Sequence, residues 1–382
     1  MNLITSNDAL AELCTTLAAQ RYITVDTEFL RESTFWPKLC LIQTAAAGIE
    51  AMIDPLAEGI DLQPFYDLMV NKSVLKVMHG CRQDVEIFHK EAGIIPTPLF
   101  DTQIAAMVCG FGDAVGYENL IKQTTGGKID KGSRFTDWSQ RPLSDAQLTY
   151  AQADVTHLRD AFEYLEAKLT ENGRSTWLQE ESALLSDPEI YEQKPENAWK
   201  RMKMQDRRPH VLGVLIEVAA WRENEAQNRN VPRNRILKDD AIRELALQGP
   251  KDKKALSRLR AVPRGYENSR YAEPLLEAVK AGRAKTKDDL PKMPAPVVNR
   301  PGIGPLVDLL KVLLKQRSEE TGVAPKLIAN VSDLERIASD DAPDVAAMQG
   351  WRYEIFGQYA VELKQGKLAL ASENDAVVLV KR

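Results

Sequence analysis

The chain has 382 residues, more than one compact core usually accommodates, so its length predicts two or three domains. Its 44% hydrophobic and 27% charged residues are typical of an ordinary soluble globular protein. The N-terminus lacks the basic start and apolar run of a signal peptide, and the longest apolar stretch, residues 211–221, is too short to span a bilayer. We therefore expect a cytoplasmic protein with no membrane partner.

Charge is distributed unevenly along the chain. Residues 1–199 carry 16 basic and 30 acidic side chains, whereas residues 200–287 carry 22 basic and 11 acidic ones. A basic middle joined to an acidic front favours a polyanionic partner that is bound by the middle. A solvated helical surface that is rich in Lys and Arg would give the same count, so charge alone does not decide between the two.

The first 200 residues alternate short apolar runs with helical patterns, which predicts an α/β domain with a mixed sheet covered by helices. The predicted strands are residues 22–30, 39–45, 50–56 and 74–80, and the predicted helices are residues 8–19, 82–92 and 144–168.

From about residue 208 the strand signal disappears, and a helical pattern of roughly ninety residues occurs twice. Each copy has an apolar helix that leads to an Arg, then Val and Pro, then Ile, an acidic start signal and a second helix. The copies predict two similar all-α domains. The predicted division of the chain is an α/β domain at 1–200, a first helical domain at 208–290, a stiff Pro-rich linker at 291–305 and a second helical domain at 306–382.

Two carboxylates interrupt the predicted strand 22–30. Strand alternation places Asp26 and Glu28 on the same face, with their Cα atoms about 7 Å apart. Like charges on a half-buried face repel and lose hydration, and this cost must be offset by a cation or by proton uptake. An exposed edge strand with a solvated acidic face is the alternative interpretation, and this stretch alone does not exclude it.

Further polar residues follow at two helix starts. Asp84 lies in the first turn of the predicted helix 82–92, where an acid can also simply favour the helix N-terminus. Ser144 and Gln147 have capping-box spacing, which predicts the start of the next long helix. On that helix Tyr150 and Asp154 are neighbours at i and i+4, at the edge of an apolar stripe.

Taken together, these motifs resemble a known family. Asp-x-Glu on a strand, His-Gly-x-x-x-Asp at a strand-to-helix junction and Tyr-x-x-x-Asp on a late helix have the order and spacing of the DEDD exonuclease superfamily, in its tyrosine subclass. The resemblance extends to the bacterial ribonuclease D family through the stretches VDTEFLRESTFWPKLCLIQ, IDPL, FDTQIAA, TDWSQRPLSDAQLTYAQADV and PENAWKRMK. The two helical repeats resemble the HRDC domains of that family, although the first repeat has a longer Arg-to-Pro spacing than the second.

Ligands that are all carboxylates suit Mg²⁺ or Mn²⁺ rather than zinc. The resemblance implies a ribonuclease H-like fold and two such cations, with Asp26 bridging both. Glu28 and Asp154 would hold the ion that activates water, and Asp84 would support the second ion. Tyr150 would orient the attacking water. The implied activity is 3′-5′ hydrolysis of RNA ends to nucleoside 5′-monophosphates, with tRNA precursors as the expected substrate.

Other polar residues are weaker candidates for contacts with substrate. His79 fits the motif but also suits a structural role at a strand end, and the loop and helical cations are often merely solvated. The candidate RNA contacts are His79, Lys131, Arg134, Arg222, Arg233 and Arg235.

Two other functions stay open at this point. A DNA 3′-5′ exonuclease would use the same acids, since carboxylates do not distinguish RNA from DNA. A nucleic-acid-binding scaffold with an inactive nuclease fold is the alternative from a different class, although all five site positions carry chemically competent residues. We expect a monomer, because no heptad pattern or long apolar face indicates assembly.

Overall fold

The computed structural model describes residues 3–129, 132, 136–202, 204, 206, 208–291 and 302–382. Its first part, the α/β unit, runs to the 3₁₀ turn Pro188–Ile190. The strands of this unit are β1 Leu3–Ile4, β2 Tyr22–Leu30, β3 Lys38–Ala46, β4 Ile49–Ile53, β5 Leu75–Met78 and β6 Leu99–Asp101. Its helices are α1 Asn7–Ala18, α2 Gln63–Met69, α3 Arg82–Ala92, α4 Thr102–Val108, α5 Tyr117–Thr125, α6 Asp145–Glu171 and α7 Ser175–Leu185.

The six strands form one mixed sheet in the order β1-β4-β3-β2-β5-β6. β3 runs antiparallel to β2 and β4, whereas β2, β5 and β6 are mutually parallel. The expected α/β architecture with a mixed sheet is therefore confirmed. The very short strands β1 and β6 were not predicted, because two or three residues are too few to show an alternating pattern.

Alternation along β2 directs its side chains to two different layers. Ile23 and Val25 belong to the core that packs against α1, α2 and α3. The hydroxyl of Thr24 points to the other face, where it donates to the Val155 carbonyl of α6 at 2.8 Å. Asp26 follows Thr24 by two residues, so β2 presents its acids to the layer that contains α6.

The first helical unit begins with the 3₁₀ helix Pro195–Arg201, whose Ala198 packs in the same core as α8. Its helices are α8 Pro209–Asn228, α9 Arg233–Ile236, α10 Asp239–Gln248, α11 Lys253–Leu256 and α12 Ala272–Ala284, with a 3₁₀ turn at Tyr266–Asn268. Two helices approach closely enough that a Cβ on Gly213 would lie 2.2 Å from the Gly282 carbonyl oxygen, so this crossing of α8 and α12 requires glycine.

The second helical unit contains α13 Ile303–Thr321, α14 Pro325–Ile328, α15 Val331–Ser339, a 3₁₀ turn Ala346–Met348, α16 Gly350–Arg352, a π turn Tyr353–Gly357 and α17 Gln358–Lys364. It is not all-α, which corrects the sequence prediction. The strands β7 Leu368–Glu373 and β8 Ala376–Lys381 form an antiparallel hairpin. Asn374 and Asp375, both at positive φ (49° and 63°), make its two-residue turn, a conformation that Asn and Asp tolerate.

Both helical units contact the α/β unit. The Asn230 side-chain oxygen, in the first helical unit, accepts hydrogen bonds from the backbone N–H groups of Phe35 and Trp36 at 3.1 and 3.0 Å. In the second unit, Trp351 stacks on Trp177 of α7 with ring centroids 4.6 Å apart. Each helical unit thus makes a specific contact with the α/β unit. Among the described residues, no helix is both long and apolar enough to cross a membrane.

Candidate active site

Three carboxylates converge at the centre of the sheet. One oxygen from each of Asp26, Glu28 and Asp154 lies within 4.8 Å of the others. Asp26 and Glu28 lie on β2, which stands between β3 and β5 in the sheet and is therefore not an edge strand, whereas Asp154 lies on α6. The interpretation of Asp26 and Glu28 as a solvated edge is therefore wrong. Both acids are paired with residues of β3, and the pairing with β5 ends at Thr24.

Asp84 lies next to this cluster, in the first turn of α3. It is buried, and its carboxylate accepts a 2.5 Å hydrogen bond from the Thr27 hydroxyl. Thr27 is the residue between the two acids of β2, so this bond ties the start of α3 to the centre of the site. Burial, and secondarily the charge of Asp26, raises the pKa of Asp84 to about 8.

The electrostatics of the cluster favour a bound cation. Burial, followed by repulsion from Asp154, raises the pKa of Asp26 to about 8. The Gln43 amide of β3 donates to Asp26 at 3.3 Å, but a neutral amide does not balance several acids. The donor set consists of carboxylate oxygens, which fits hard cations such as Mg²⁺ and Mn²⁺ and does not fit zinc.

Tyr150 stands beside Asp154 on α6, as the i, i+4 spacing predicts. Burial raises the pKa of its phenol, the neighbouring acids raise it further, and its hydroxyl hydrogen-bonds to the Asp154 side chain. The phenol therefore stays protonated at neutral pH. Its ring packs 6.0 Å from that of the buried Trp138, which restricts where the hydroxyl can point.

Local hydrogen bonds fix the start of α6. The predicted capping box is present: the Gln147 N–H donates to the Ser144 hydroxyl, and the Ser144 N–H donates to the Gln147 side chain. Arg141, just before the helix, makes two 2.6 Å bonds to the buried carboxylate of Asp54. Tyr117 of α5 donates to the backbone oxygen of Asp154 at 2.5 Å. These contacts hold the segment that carries Tyr150 and Asp154.

A cavity of about 410 Å³ opens onto these residues. Asp26, Tyr150 and Asp154 line it together with His79, and the His79 ring nitrogen Nδ1 lies 3.0 Å from the Thr102 hydroxyl. Burial lowers the pKa of His79, which keeps the ring neutral at pH 7. Lys131 and Arg134, the other two contacts expected near the site, lie outside the described residues.

Asp101 is a further residue of this region that sequence reasoning missed. Its buried carboxylate accepts hydrogen bonds from four backbone N–H groups, those of Gly80, Cys81, Gln103 and Ile104. It therefore caps α4 and also fixes the turn that leads into α3. The position of Asp101 just before a helical pattern could have predicted the cap of α4. The bonds from Gly80 and Cys81 could not be predicted in this way, because these residues are 21 and 20 positions away.

The three candidate RNA contacts of the first helical unit differ in exposure. Arg222 is buried and donates to the Leu237 carbonyl and to Asp239. Arg233 is half-buried and makes two 2.6 Å bonds to Glu223. Arg235 is exposed. Some of the basic side chains of this region therefore form ion pairs within the protein.

Comparison with known proteins agrees with this geometry. Residues 1–170 match the model of the 3′-5′ exonuclease family, and residues 211–279 match that of the HRDC domain. The ribonuclease D of Nitrobacter hamburgensis is 52% identical over the whole of both chains. The chain belongs to the ribonuclease D family. The ribonuclease D of Acidiphilium cryptum is 49% identical over 99% of this chain and 96% of its own.

Solved structures give the same result for the fold. The crystal structure of Escherichia coli RNase D, described as an exoribonuclease involved in structured RNA processing, superimposes with a TM-score of 0.82 at 28% identity and covers 96% of this chain and 99% of that one. A protein from Bifidobacterium adolescentis shares the fold, with a TM-score of 0.67 at 20% identity over 96% of this chain and 97% of its own.

Membership of the ribonuclease D family defines the activity. The protein is a 3′-5′ exoribonuclease, a hydrolase that acts on the phosphodiester bonds of RNA. Exonucleases of this superfamily generally use divalent metal ions, and the carboxylate cluster provides a site of suitable chemistry.

The role of Asp101 can be tested by Asp101→Asn. An amide offers one acceptor oxygen where the carboxylate receives four N–H groups, so the turn that leads to Asp84 should shift. We expect a stability loss of about 1 kcal/mol and, in protein that is still folded at 25 °C, about a tenfold lower kcat.

The matched control is Asp187→Asn, which alters an exposed helix cap that accepts from the Glu189 N–H. It should leave kcat unchanged. If folded Asp101→Asn retains the full kcat, Asp101 does not position the site.

Proposed function

We propose that this exoribonuclease trims the 3′ ends of structured RNAs, including tRNA precursors, and releases nucleoside 5′-monophosphates. The observation that carries the proposal is the cluster of Asp26, Glu28 and Asp154, of which Asp26 and Asp154 line one cavity together with a protonated Tyr150. The cavity is about 410 Å³, which suits a terminal nucleotide rather than a duplex.

Two divalent cations, Mg²⁺ or Mn²⁺, complete the proposed site. Asp26, Glu28, Asp84 and Asp154 would hold them, and their charge would balance the buried acids. When bound, such ions stabilise the charge that develops on the attacking and leaving oxygens of a phosphodiester displacement.

The protein's own residues orient the reactants. The Tyr150 hydroxyl hydrogen-bonds to Asp154, and its oxygen can then accept a hydrogen bond from the attacking water. Because the pKa of the phenol is raised, it keeps its proton at neutral pH. We therefore assign Tyr150 to positioning of water, as in the tyrosine subclass. We assign His79, on the cavity wall, to contact with the substrate.

The remaining parts of the proposal concern the whole chain. The second helical unit packs its core around α13, as the first does around α8, and we interpret it as a second, divergent HRDC domain that has gained the hairpin β7–β8. We expect the protein to act as a monomer in the cytoplasm. Light scattering coupled to size exclusion would reveal a dimer if this expectation is wrong.

Tyr150→Phe tests the proposed role of the hydroxyl. Phenylalanine keeps the ring against Trp138 but removes the group that orients water. We expect kcat to fall by about 10- to 100-fold, with KM for RNA changed less than twofold. Tyr164→Phe is the matched control, since Tyr164 is an exposed tyrosine on the same helix. Equal kcat values in the two variants would remove Tyr150 from the mechanism.

The substrate is tested by incubating the full-length protein with a 3′-extended tRNA and with single-stranded DNA of matched 3′ sequence, in Mg²⁺, Mn²⁺ or chelator. We expect stepwise shortening of the RNA, with nucleoside 5′-monophosphates as products, only when metal is present. The Asp154→Asn variant is the inactive control. Faster degradation of the DNA would favour a DNA exonuclease, and binding of the tRNA without metal-dependent cleavage would favour a scaffold.

A further inference from the structure

A second cavity lies between the α/β unit and the first helical unit, and none of the four candidate metal ligands lines it. Its volume is about 410 Å³, and four arginines from four different elements line it. They are Arg31 just after β2, Arg201 of the 3₁₀ helix, Arg222 of α8 and Arg233 of α9. We call this cavity the arginine cleft.

Buried acids hold these arginines in place. Arg31 makes two 2.8 Å bonds to Glu86 of α3, while Arg201 and Arg233 share the fully buried Glu223. Neither Glu86 nor Glu223 is among the residues that line the cleft. Glu86 and Glu223 therefore lie behind the guanidinium groups as seen from the cleft. Asp239 lines the cleft together with the four arginines.

One of the four arginines has a buried N–H without an acceptor. Arg222 is 3% exposed, and its Nη1 donates to the Leu237 carbonyl and to Asp239. Its buried Nε has no hydrogen-bond partner among the described residues. A buried N–H without an acceptor costs about 1–3 kcal/mol, so few remain unpaired in folded proteins. The four arginines that line one cavity have guanidinium groups of the kind that bind the oxygens of a phosphate.

We propose that the arginine cleft binds a phosphate group of the RNA strand whose 3′ end lies in the active site. The inference goes beyond the hydrolytic site and rests on the exoribonuclease activity. Arg31 follows Glu28 by three residues, so their Cα atoms are at most about 10 Å apart. The strand that carries the catalytic acids thus also leads into the cleft, and an RNA chain longer than the terminal nucleotides can reach both.

The proposal is tested with Arg201→Gln in the full-length protein. Arg201 has the most exposed of the paired guanidinium groups, at 48% of its side chain, and Glu223 keeps Arg233 as its partner when Arg201 is lost. We expect KM for a ten-nucleotide RNA to rise about fivefold to tenfold, with kcat unchanged. The slope of log KM against log salt concentration should fall by about 0.7, the value for one phosphate contact of a single strand.

Two comparisons separate a cleft contact from a structural effect. KM for a dinucleotide, whose single phosphate is the scissile one in the active site, should not change. Arg208→Gln, which removes an exposed arginine paired with Asp206 outside the cleft, should behave as wild type. Equal losses on both RNAs, or no change on either, would overturn the proposal.

The source of the phosphate is tested separately. Inorganic phosphate should raise the melting temperature of the wild type and have a smaller effect on Arg201→Gln. If that difference appears while both KM values stay unchanged, the cleft binds free anions and the assignment to RNA is wrong. Should Arg201→Gln fail to fold, Arg31→Gln, in the part of the cleft that the α/β unit provides, gives the same readouts.

Discussion

The rest of the structure depends on holding several carboxylates together in a buried place. Asp26, Glu28 and Asp154 lie within 4.8 Å of one another, and burial with mutual repulsion raises the pKa values of Asp26 and Asp84 to about 8. Such a cluster does not form by itself, because separation and hydration would lower its energy. The fold has to oppose that tendency until cations neutralise it.

Strand pairing and hydrogen bonds at the starts of helices hold the carboxylates together. β2 lies between β3 and β5 in the sheet, and Asp26 and Glu28 are paired with Gln43 and Leu41 of β3, so moving the two acids apart would disturb this pairing. Thr27 connects them to Asp84, and Asp101 fixes the turn before α3 through four N–H groups. The helical units also contact the α/β unit, and at the arginine cleft Arg201, Arg222 and Arg233 of the first helical unit line one cavity with Arg31 of the α/β unit.

The features of the fold that depend on local sequence patterns were predicted correctly. The alternation of side chains predicted β2, the glycine at residue 93 predicted the end of α3, and the capping box of Ser144 predicted the start of α6. The elements that carry the acids and Tyr150 could therefore be predicted from the sequence. Sequence reasoning missed Asp101 because the bonds that matter cross 20 positions of sequence. It did not predict that Arg222 is buried and paired with Asp239, because charge counts do not reveal internal ion pairs. The hairpin at residues 368–381 was missed because the repeat pattern suggested helices to the end.

We propose that the acidic cluster binds divalent cations, and a calorimetric titration of the full-length protein with Mn²⁺ tests this most directly. We predict two ions per chain at pH 8 and weaker binding at pH 6, because Asp26 and Asp84, with pKa values of about 8, hold protons that compete with the metal at the lower pH. Asp26→Asn, with an unchanged circular dichroism spectrum, should lose most of this binding. Mn²⁺ binding that is the same in Asp26→Asn as in the wild type would contradict the account.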